Sequence, residues 1–477
     1  MFPGHPSTAW EVDATKYERY HIPLKLVPNR AAPAPKFAII RADNCINCGK
    51  CEKACIYGVH KRSETDPRKM ADPINSLCKN CFRCIQDCPQ RALTMMVGPE
   101  YKALARGLWT SLRIFTIWNE AETGKIPVFG AGYRGPFAGP GYDGMWTDMS
   151  EIVRPTRDGI HGREYISTSV DLGSRPAWLE FGKSGELVTD MPPVIELQVP
   201  FVVDTTRLRA STDAMKIGMA RAAKHVDSLL LSSPEALLNE TASELNSHFV
   251  PVYGEGTDIR SIVLPRGVRM TELTLGATWK EDAKRFQSMY PHTVVGFRLN
   301  AGKDVEKRIV DLVKAKVDVA HVLFDEDGME IETAEPRHAK DSLRAIHKAL
   351  VSKSVRDQIT IIAGGGIAAA EHVPKTLICG ADVVALERAP VVSLECRNCF
   401  TCSIGSCPAN LGDAPAEWIE DRVTNLMGAW RDQLLEVLGA MGLREVRRLR
   451  GELGRAIFFE DVERESFSDI EGGAGSG

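Results

Sequence analysis

The chain is 477 residues long, 44% apolar and 26% charged, with Lys+Arg 59 against Asp+Glu 63 for a net charge of −4. This is the make-up of a soluble globular protein large enough for one big domain and a smaller one. No basic excess points to nucleic acid or an anionic membrane, and no apolar run approaches the roughly 18 residues of a membrane span. The opening MFPGHPSTAWEVDATKYERY lacks the basic and apolar regions of a signal peptide, so a cytoplasmic protein is expected.

Residues 1–36 carry six prolines and no sustained periodicity, which predicts an arm that packs on another part of the chain. The unit 37–98 holds eight of the 13 cysteines. Cys45, Cys48, Cys51 and Cys55 follow C-x2-C-x2-C-x3-C, and Cys78, Cys81, Cys84 and Cys88 repeat it, with Pro89 after the last. Three thiolates at every third residue wrap one corner of a cubane, and the fourth cysteine reaches the neighbouring cluster. Cys45, Cys48, Cys51 and Cys88 are therefore assigned to one [4Fe–4S] cluster, and Cys78, Cys81, Cys84 and Cys55 to the other. Structural zinc also uses C-x2-C pairs, but four cysteines in eleven residues twice over disfavours it. Ile56 stands where the first run would have its proline. Clusters in pairs carry single electrons, so 37–98 reads as a ferredoxin-like electron inlet.

Residues 99–189 form a linker and lead-in, beginning with the helical pattern YKALARGLWTSLRIFTIW and passing into VFGAGYRGPFAGPGYDGMW. Gly130, Gly132 and Gly135 satisfy G-x-G-x-x-G, but Pro136, Gly139 and Pro140 follow, and no helix can open there as a dinucleotide site requires. With no nicotinamide site, electrons are expected through the clusters, from a ferredoxin or from a flavin- or NAD(P)H-oxidising partner subunit. His161 and His321 lack ligand-spaced partners and read as structural histidines. From 190 the pattern alternates apolar strand and polar helix. The strands are VIELQVPFVV, VDSLLLSS, HFVPVYG, MTELTLG, HTVVGFRLN, VDVAHVLFD, ITIIAGGG and ADVVALER. Eight short strands with helices between them predict an α/β fold, a (β/α)8 TIM-type barrel over 190–412. An open doubly wound sheet is the alternative. Cys379, before the last strand, reads as buried core. A helical segment follows over 413–471, then a flexible tail at 472–477.

Two features fall where a barrel places its chemistry, after the last strands. ITIIAGGG ends in Gly364, Gly365 and Gly366, and ALERAP after the final strand offers Glu387 and Arg388. Glycines let backbone N–H groups approach a phosphate closely, which suits the phosphate of FMN. About ten residues later LECRNCFTCSIGSCP brings Cys396, Cys399, Cys402 and Cys407. Without Cys399 the spacing is C-x5-C-x4-C, three thiolates for a [3Fe–4S] cluster. With it the run opens as a ferredoxin's C-x2-C-x2-C does, and a [4Fe–4S] cluster is expected.

The eight-cysteine unit, a barrel with GGGI and GAD near its end, and C-x5-C-x4-C-P together resemble the glutamate synthase family in its short, archaeal-type form. The segment MSEIVRPTRDGIHGREYISTSVDLG at 149–173 is similar to the lead-in of FMN-binding relatives. The resemblance implies FMN in the barrel, an iron–sulfur cluster beside it, and reduction of 2-iminoglutarate formed from 2-oxoglutarate and ammonia. Cys396, Cys402 and Cys407 match the family's cluster ligands, and Gly364, Gly365 and Gly366 its flavin-phosphate glycines. Arg298, in GFRLN, stands where the family has a lysine near flavin and substrate.

The sequence also departs from the family. FDEDGMEIE replaces a glycine-rich loop after the sixth strand, and Asp325, Glu326 and Asp327 there are expected to repel a dicarboxylate. DTTRLRAS and LLLSSPEAL replace the family's turns after the first two strands. Met1 is followed by Phe2 where larger members have a glutamine-hydrolysing cysteine, so ammonia is expected from solution or another subunit. The alternative function is an electron-transfer subunit of a larger redox complex whose barrel no longer makes glutamate.

Overall fold

The computed structural model describes residues 20–31, 34–126, 139–147, 166–209, 211–237, 240–399, 402 and 407–467. The first 19 residues, GAGYRG, His161, most of the 149–173 lead-in and the Gly-rich tail lie outside these.

Strand β1 (Phe37–Arg41) pairs antiparallel with β2 (Leu93–Val97), Phe37 opposite Val97. The cysteine-bearing turns Lys50–Ala54 and Arg83–Gln86 pack between them around Ile39, Val59, Met70 and Leu93. The predicted helix YKALARGLWTSLRIFTIW is two helices, Pro99–Ala103 and Ser111–Thr123. A turn closed by an Arg106–Trp109 bridge separates them, and Thr110 caps the second by accepting the Arg113 N–H. Strand β3 (Met145–Thr147) pairs with β14 (Ala456–Phe458) near the C-terminus.

VIELQVPFVV also divides. Pro200 has no N–H for a ladder, and the chain breaks into β5 (Val194–Leu197) and β6 (Phe201–Asp204). The first half pairs antiparallel with β4 (Val170–Gly173). Thr360 joins that pair to the barrel floor, its Oγ1 donating to Gly173 O at 2.6 Å and accepting from Gly173 N at 3.1 Å.

From β6 onward the strands are β7 (Leu230–Ser232), β8 (Phe249–Tyr253), β9 (Met270–Thr274), β10 (Val294–Asn300), β11 (Val319–Leu323), β12 (Thr360–Gly364) and β13 (Val383–Leu386). They are parallel, consecutive and closed, with Val384 of β13 paired to Phe201 of β6. Closure replaces the open sheet with a TIM-type barrel. Their continuous burial is what a parallel sheet covered on both faces requires.

Helix Ala416–Ala440 crosses the first barrel helix, Asp213–His225, and Ser111–Thr123. Its buried stripe runs through Ile419, Val423, Leu426, Trp430, Leu434 and Leu438. Each large apolar side chain so covered contributes about 1.5–3 kcal/mol relative to exposure. The end of the N-terminal arm lies on this helix. Asn425 Nδ2 donates to Lys25 O at 2.7 Å, and fully buried Arg422 reaches Val27 O and Asn29 Oδ1. Among the described residues, no helix is long and apolar enough to cross a membrane.

Candidate active site and cysteine clusters

Cys55, Cys78, Cys81 and Cys84 line one cavity in the ferredoxin-like unit, with Ile39, His60 and Phe82. This is the grouping expected if the fourth cysteine of the first run crosses to the second cluster. Burial pushes the Cys84 thiol up to about 11, and Cys55, Cys78, Cys81 and Cys51 add to the push. The Cys51 thiol is also raised by burial; the Arg41 charge opposes this and Cys45 adds to it. Thiols crowded so that each disfavours its neighbour's ionisation call for a cationic core, and an iron–sulfur cluster fits the donor set. Among the described residues, no three His, Cys, Asp or Glu side chains converge closely enough to chelate a single metal ion. The cluster assignment therefore rests on spacing and neighbourhood.

The third run opens as the other two do. Each reads C-x-N-C, and Asn47, Asn80 and Asn398 are all left-handed, at φ 55, 58 and 52°. Asparagine tolerates that conformation better than most residues. Burial raises the Cys396 thiol to about 11; the hydrogen bond from the Asn398 backbone opposes this, and Cys402, Cys407 and Cys399 all add to it. The other three cysteines of the run thus sit within electrostatic reach of Cys396. The run is held from outside by Glu395, whose carboxylate accepts Arg30 N at 2.7 Å and Ala31 N at 3.1 Å from the N-terminal arm.

A pocket opens at the C-terminal ends of β12 and β13. It is lined by Gly365, Gly366, Glu387 and Arg388 on one side and by Cys396 and Cys402 on the other. Arg207, Arg209, Trp109 and Asn398 complete its wall. The buried donors Trp109 Nε1 and Asn398 Nδ2 have no partner among the described residues. Two orphaned donors beside three guanidinium groups suit a ligand rich in acceptors, as a flavin phosphate is. The glycines have a second cause. A Cβ on Gly365, at φ 103°, would lie 2.4 Å from Phe324 O, and one on Gly366 2.5 Å from Gly328 Cα. The loop after β11 needs them to pack.

That loop does not present bare acids to the pocket. Asp325 Oδ1 accepts Asp327 N and Met329 N, closing its own turn. Glu326 pairs with Arg388 at 2.5 Å and faces Arg209 at 3.7 Å, while Asp327 accepts Leu108 N at 2.9 Å. The expected repulsion of a dicarboxylate is thus compensated: one acid pairs with arginines and two bond backbone amides.

Arg298 lies inside the barrel, below the pocket wall. Its Nε and Nη2 donate to Glu272 at 3.0 and 2.7 Å, Nη2 also reaches Asp204 at 3.1 Å, and Nη1 donates to Thr206 Oγ1 at 2.5 Å. His321 joins them, Nδ1 3.0 Å from Glu272 Oε2. Burial works against the Glu272 charge, but His321 and Arg298 hold its carboxyl down to about 2. Glu387 is different: burial pushes its carboxyl up to about 7, with Arg207 and His321 resisting and Asp204 assisting. Arg207 holds Glu387 Oε2 at 2.8 Å and Phe324 O at 2.7 Å. His321 Nε2 and Glu387 Oε1 are buried without partners among the described residues, and both lie 2.9 Å from where a Gly364 Cβ would stand. The missing side chain leaves a gap between an imidazole and a carboxyl.

The conserved region in glutamate synthase matches residues 287–444, from before β10 into helix Ala416–Ala440. Archaeal glutamate synthase [NADPH] of Archaeoglobus fulgidus is 25% identical over 90% of this chain and 96% of its own. Archaeal-type glutamate synthase [NADPH] of Dehalococcoides mccartyi is 24% identical over 87% and 94%. The chain is similar to the short, archaeal-type glutamate synthases over most of its length. Among solved structures, a mandelate oxidase with a monooxide FMN adduct aligns at 14% identity, covering 74% of this glutamate synthase relative and 95% of its own chain, with a TM-score of 0.41. A flavocytochrome b2 variant aligns at 14% identity over 79% and 86%, also at 0.41.

The structure brings together Gly365, Gly366, Glu387, Arg388, Cys396 and Cys402, while Arg298 stands apart beneath them. Sequence reading missed Asp204, Arg207, Glu272 and Trp109, and took His321 for structural. A signal was present: MTELT, GFRLN and VAHVL each carry one ionisable residue within an apolar strand, where a barrel turns it inward. Cys379 is fully buried, as expected.

Proposed function

We propose that the protein is an iron–sulfur flavoprotein oxidoreductase of glutamate synthase type, reducing 2-iminoglutarate formed from 2-oxoglutarate and free ammonia. The observation that carries this reading is the shared pocket, where the glycine loop and the third cysteine run line the same space. Two [4Fe–4S] clusters would be held by the ferredoxin-like cysteines, and a third, of four-iron form, by Cys396, Cys399, Cys402 and Cys407. FMN would be held with its phosphate at Gly364, Gly365, Gly366 and Arg388. When bound, the clusters supply single electrons and the flavin supplies the conversion to two-electron reduction.

The chain's own residues supply placement and protons. Glu387, with its carboxyl near 7 and Oε1 unpartnered, can hold or release a proton at the pocket wall near neutral pH. Arg207 fixes its other oxygen and ties it to the loop after β11. His321, oriented by Glu272, stands behind Glu387 as the next proton carrier. Arg298 acts as a positioning residue, holding Glu272 and Asp204 through its forked donors. The electron donor is a ferredoxin or a flavin- or NAD(P)H-oxidising subunit.

One observation favours a second reading, an electron-transfer subunit of a larger complex. Arg298, at the family's lysine position, bonds Glu272 and Asp204 instead of facing the pocket. Anaerobic purification with iron, sulfide and flavin analysis comes first. Dithionite-reduced protein is then given 2-oxoglutarate and ammonium. Repeated turnover to glutamate supports the enzyme, and reoxidation only by an added acceptor supports the subunit. Stoichiometric zinc without labile sulfide would sink both.

A further inference from the structure

His60 is 2% exposed, and neither ring nitrogen has a partner among the described residues. It lines the cavity shared by Cys55, Cys78, Cys81 and Cys84. The rest of that wall is largely apolar, with Ile39, Val59, Phe82 and Met95. An imidazole in either protonation state carries at least one N–H, and a buried donor left unbonded costs about 1–3 kcal/mol. Among the described residues, and beyond that apolar wall, the side-chain acceptors that line this cavity are the four cysteine sulfurs and the Tyr57 hydroxyl, and His60 has no hydrogen bond to Tyr57. One thiolate of the unit already receives a main-chain donor, Ala92 N to Cys88 Sγ at 3.3 Å.

We propose that His60 donates an N–H hydrogen bond to a sulfur of the cluster held by Cys55, Cys78, Cys81 and Cys84, and so raises that cluster's reduction potential. The inference rests on the cluster reading above. Reduction adds negative charge to the sulfurs, and a donor aimed at them favours the reduced state. His60 is a positioning residue for electron entry: it makes this cluster easier to reduce than its cysteines alone would.

The test is an anaerobic redox titration of the full-length holoprotein, followed by electron paramagnetic resonance. His60→Leu removes the donor at similar volume, and His60→Gln restores an N–H. In His60→Leu the reduced-to-oxidised ratio of one ferredoxin-type cluster should fall at least tenfold at fixed potential, about 59 mV for a one-electron couple. The other should change little, and His60→Gln should recover most of the loss. Unchanged ratios in His60→Leu, or equal shifts of both clusters, overturn the proposal. If His60→Leu fails to take up iron, wild-type protein carrying 15N-histidine decides by pulsed resonance. A 15N coupling to the reduced cluster supports the bond, and its absence overturns it. Wild-type protein without iron would instead defeat the cluster reading itself.

Discussion

Asn398 repeats the backbone of Asn80: each precedes the second cysteine of its run, and each is left-handed, at φ 52 and 58°. The C-x-N-C opening is thus shared by the run beside the barrel mouth, where Cys399 takes the place in the run that Cys81 has in the second. Cys399→Ala should therefore convert the third site toward a three-iron form. Electron paramagnetic resonance of the oxidised, anaerobic protein should show a three-iron signal in the variant and none before, while the ferredoxin-type clusters persist. A fully occupied three-iron signal in the wild type would remove Cys399 from the ligand set.

Glu120 is fully enclosed, and burial pushes its carboxyl up to about 8 while the bond from Trp430 Nε1 at 2.9 Å opposes the push. A raised carboxyl favours the protonated fold. Its contribution is complete below the ordinary value of 4.5 and is lost as pH rises through 8. Glu120→Gln keeps the acceptor for Trp430 and cannot ionise. Its melting temperature relative to wild type should climb steadily from pH 5 to pH 9, the gain reaching on the order of a few kcal/mol. A difference that stays flat with pH would show that Glu120 ionises freely in the fold.

Arg298 neutralises two carboxylates that have no exposure. Arg298→Met would leave Glu272 buried with His321 as its charge partner, and Asp204 buried with only the Thr206 amide and hydroxyl. Breaking such a network from one side costs about 3–5 kcal/mol, measurable as a fall in denaturant midpoint. Arg298→Lys keeps the charge but not the forked geometry, and should fold with a smaller loss. Equal stability in all three proteins would contradict the buried network.

Gly365→Ala tests why the glycine is there. One methyl group meets Phe324 O at 2.4 Å and must adopt a φ of 103°. Alanine alone should displace the loop after β11, lower the melting temperature by several degrees and weaken flavin retention. Gly412→Ala, with nothing within 4 Å, is the control and should change neither. A stable Gly365→Ala protein with full flavin would show that the loop can move aside at little cost.

All eight barrel strands were legible because each is a short apolar run between polar helices. Their closed order follows from parallel pairing between sequence neighbours. Pro200 hid the break between β5 and β6, since an apolar run reads the same on either side of a missing donor. The cysteine runs were legible as spacing, but the repeated C-x-N-C carried more, the left-handed asparagine, than spacing alone conveyed. The interior network was not read. Glu272, Arg298 and His321 lie on the neighbouring strands β9, β10 and β11, and only the pairing of those strands brings them within hydrogen-bonding distance. The acids after β11 were misjudged for a similar reason, because Arg388, Arg209 and the amide of Leu108 come from distant parts of the chain.

The bond between Arg30 N and Glu395 joins residues 365 positions apart. Arg422 and Asn425, which seat the same arm, are made later still. The arm leaves the ribosome long before its docking surface does. Contacts of such separation are slow to form. During synthesis, then, the ferredoxin-like unit can complete its own sheet early, while the loop around Cys396 waits for helix Ala416–Ala440 and the returning arm. The order of manufacture prepares the first two cysteine runs before the third is seated, and a chain stopped short of that helix would have the former without the latter.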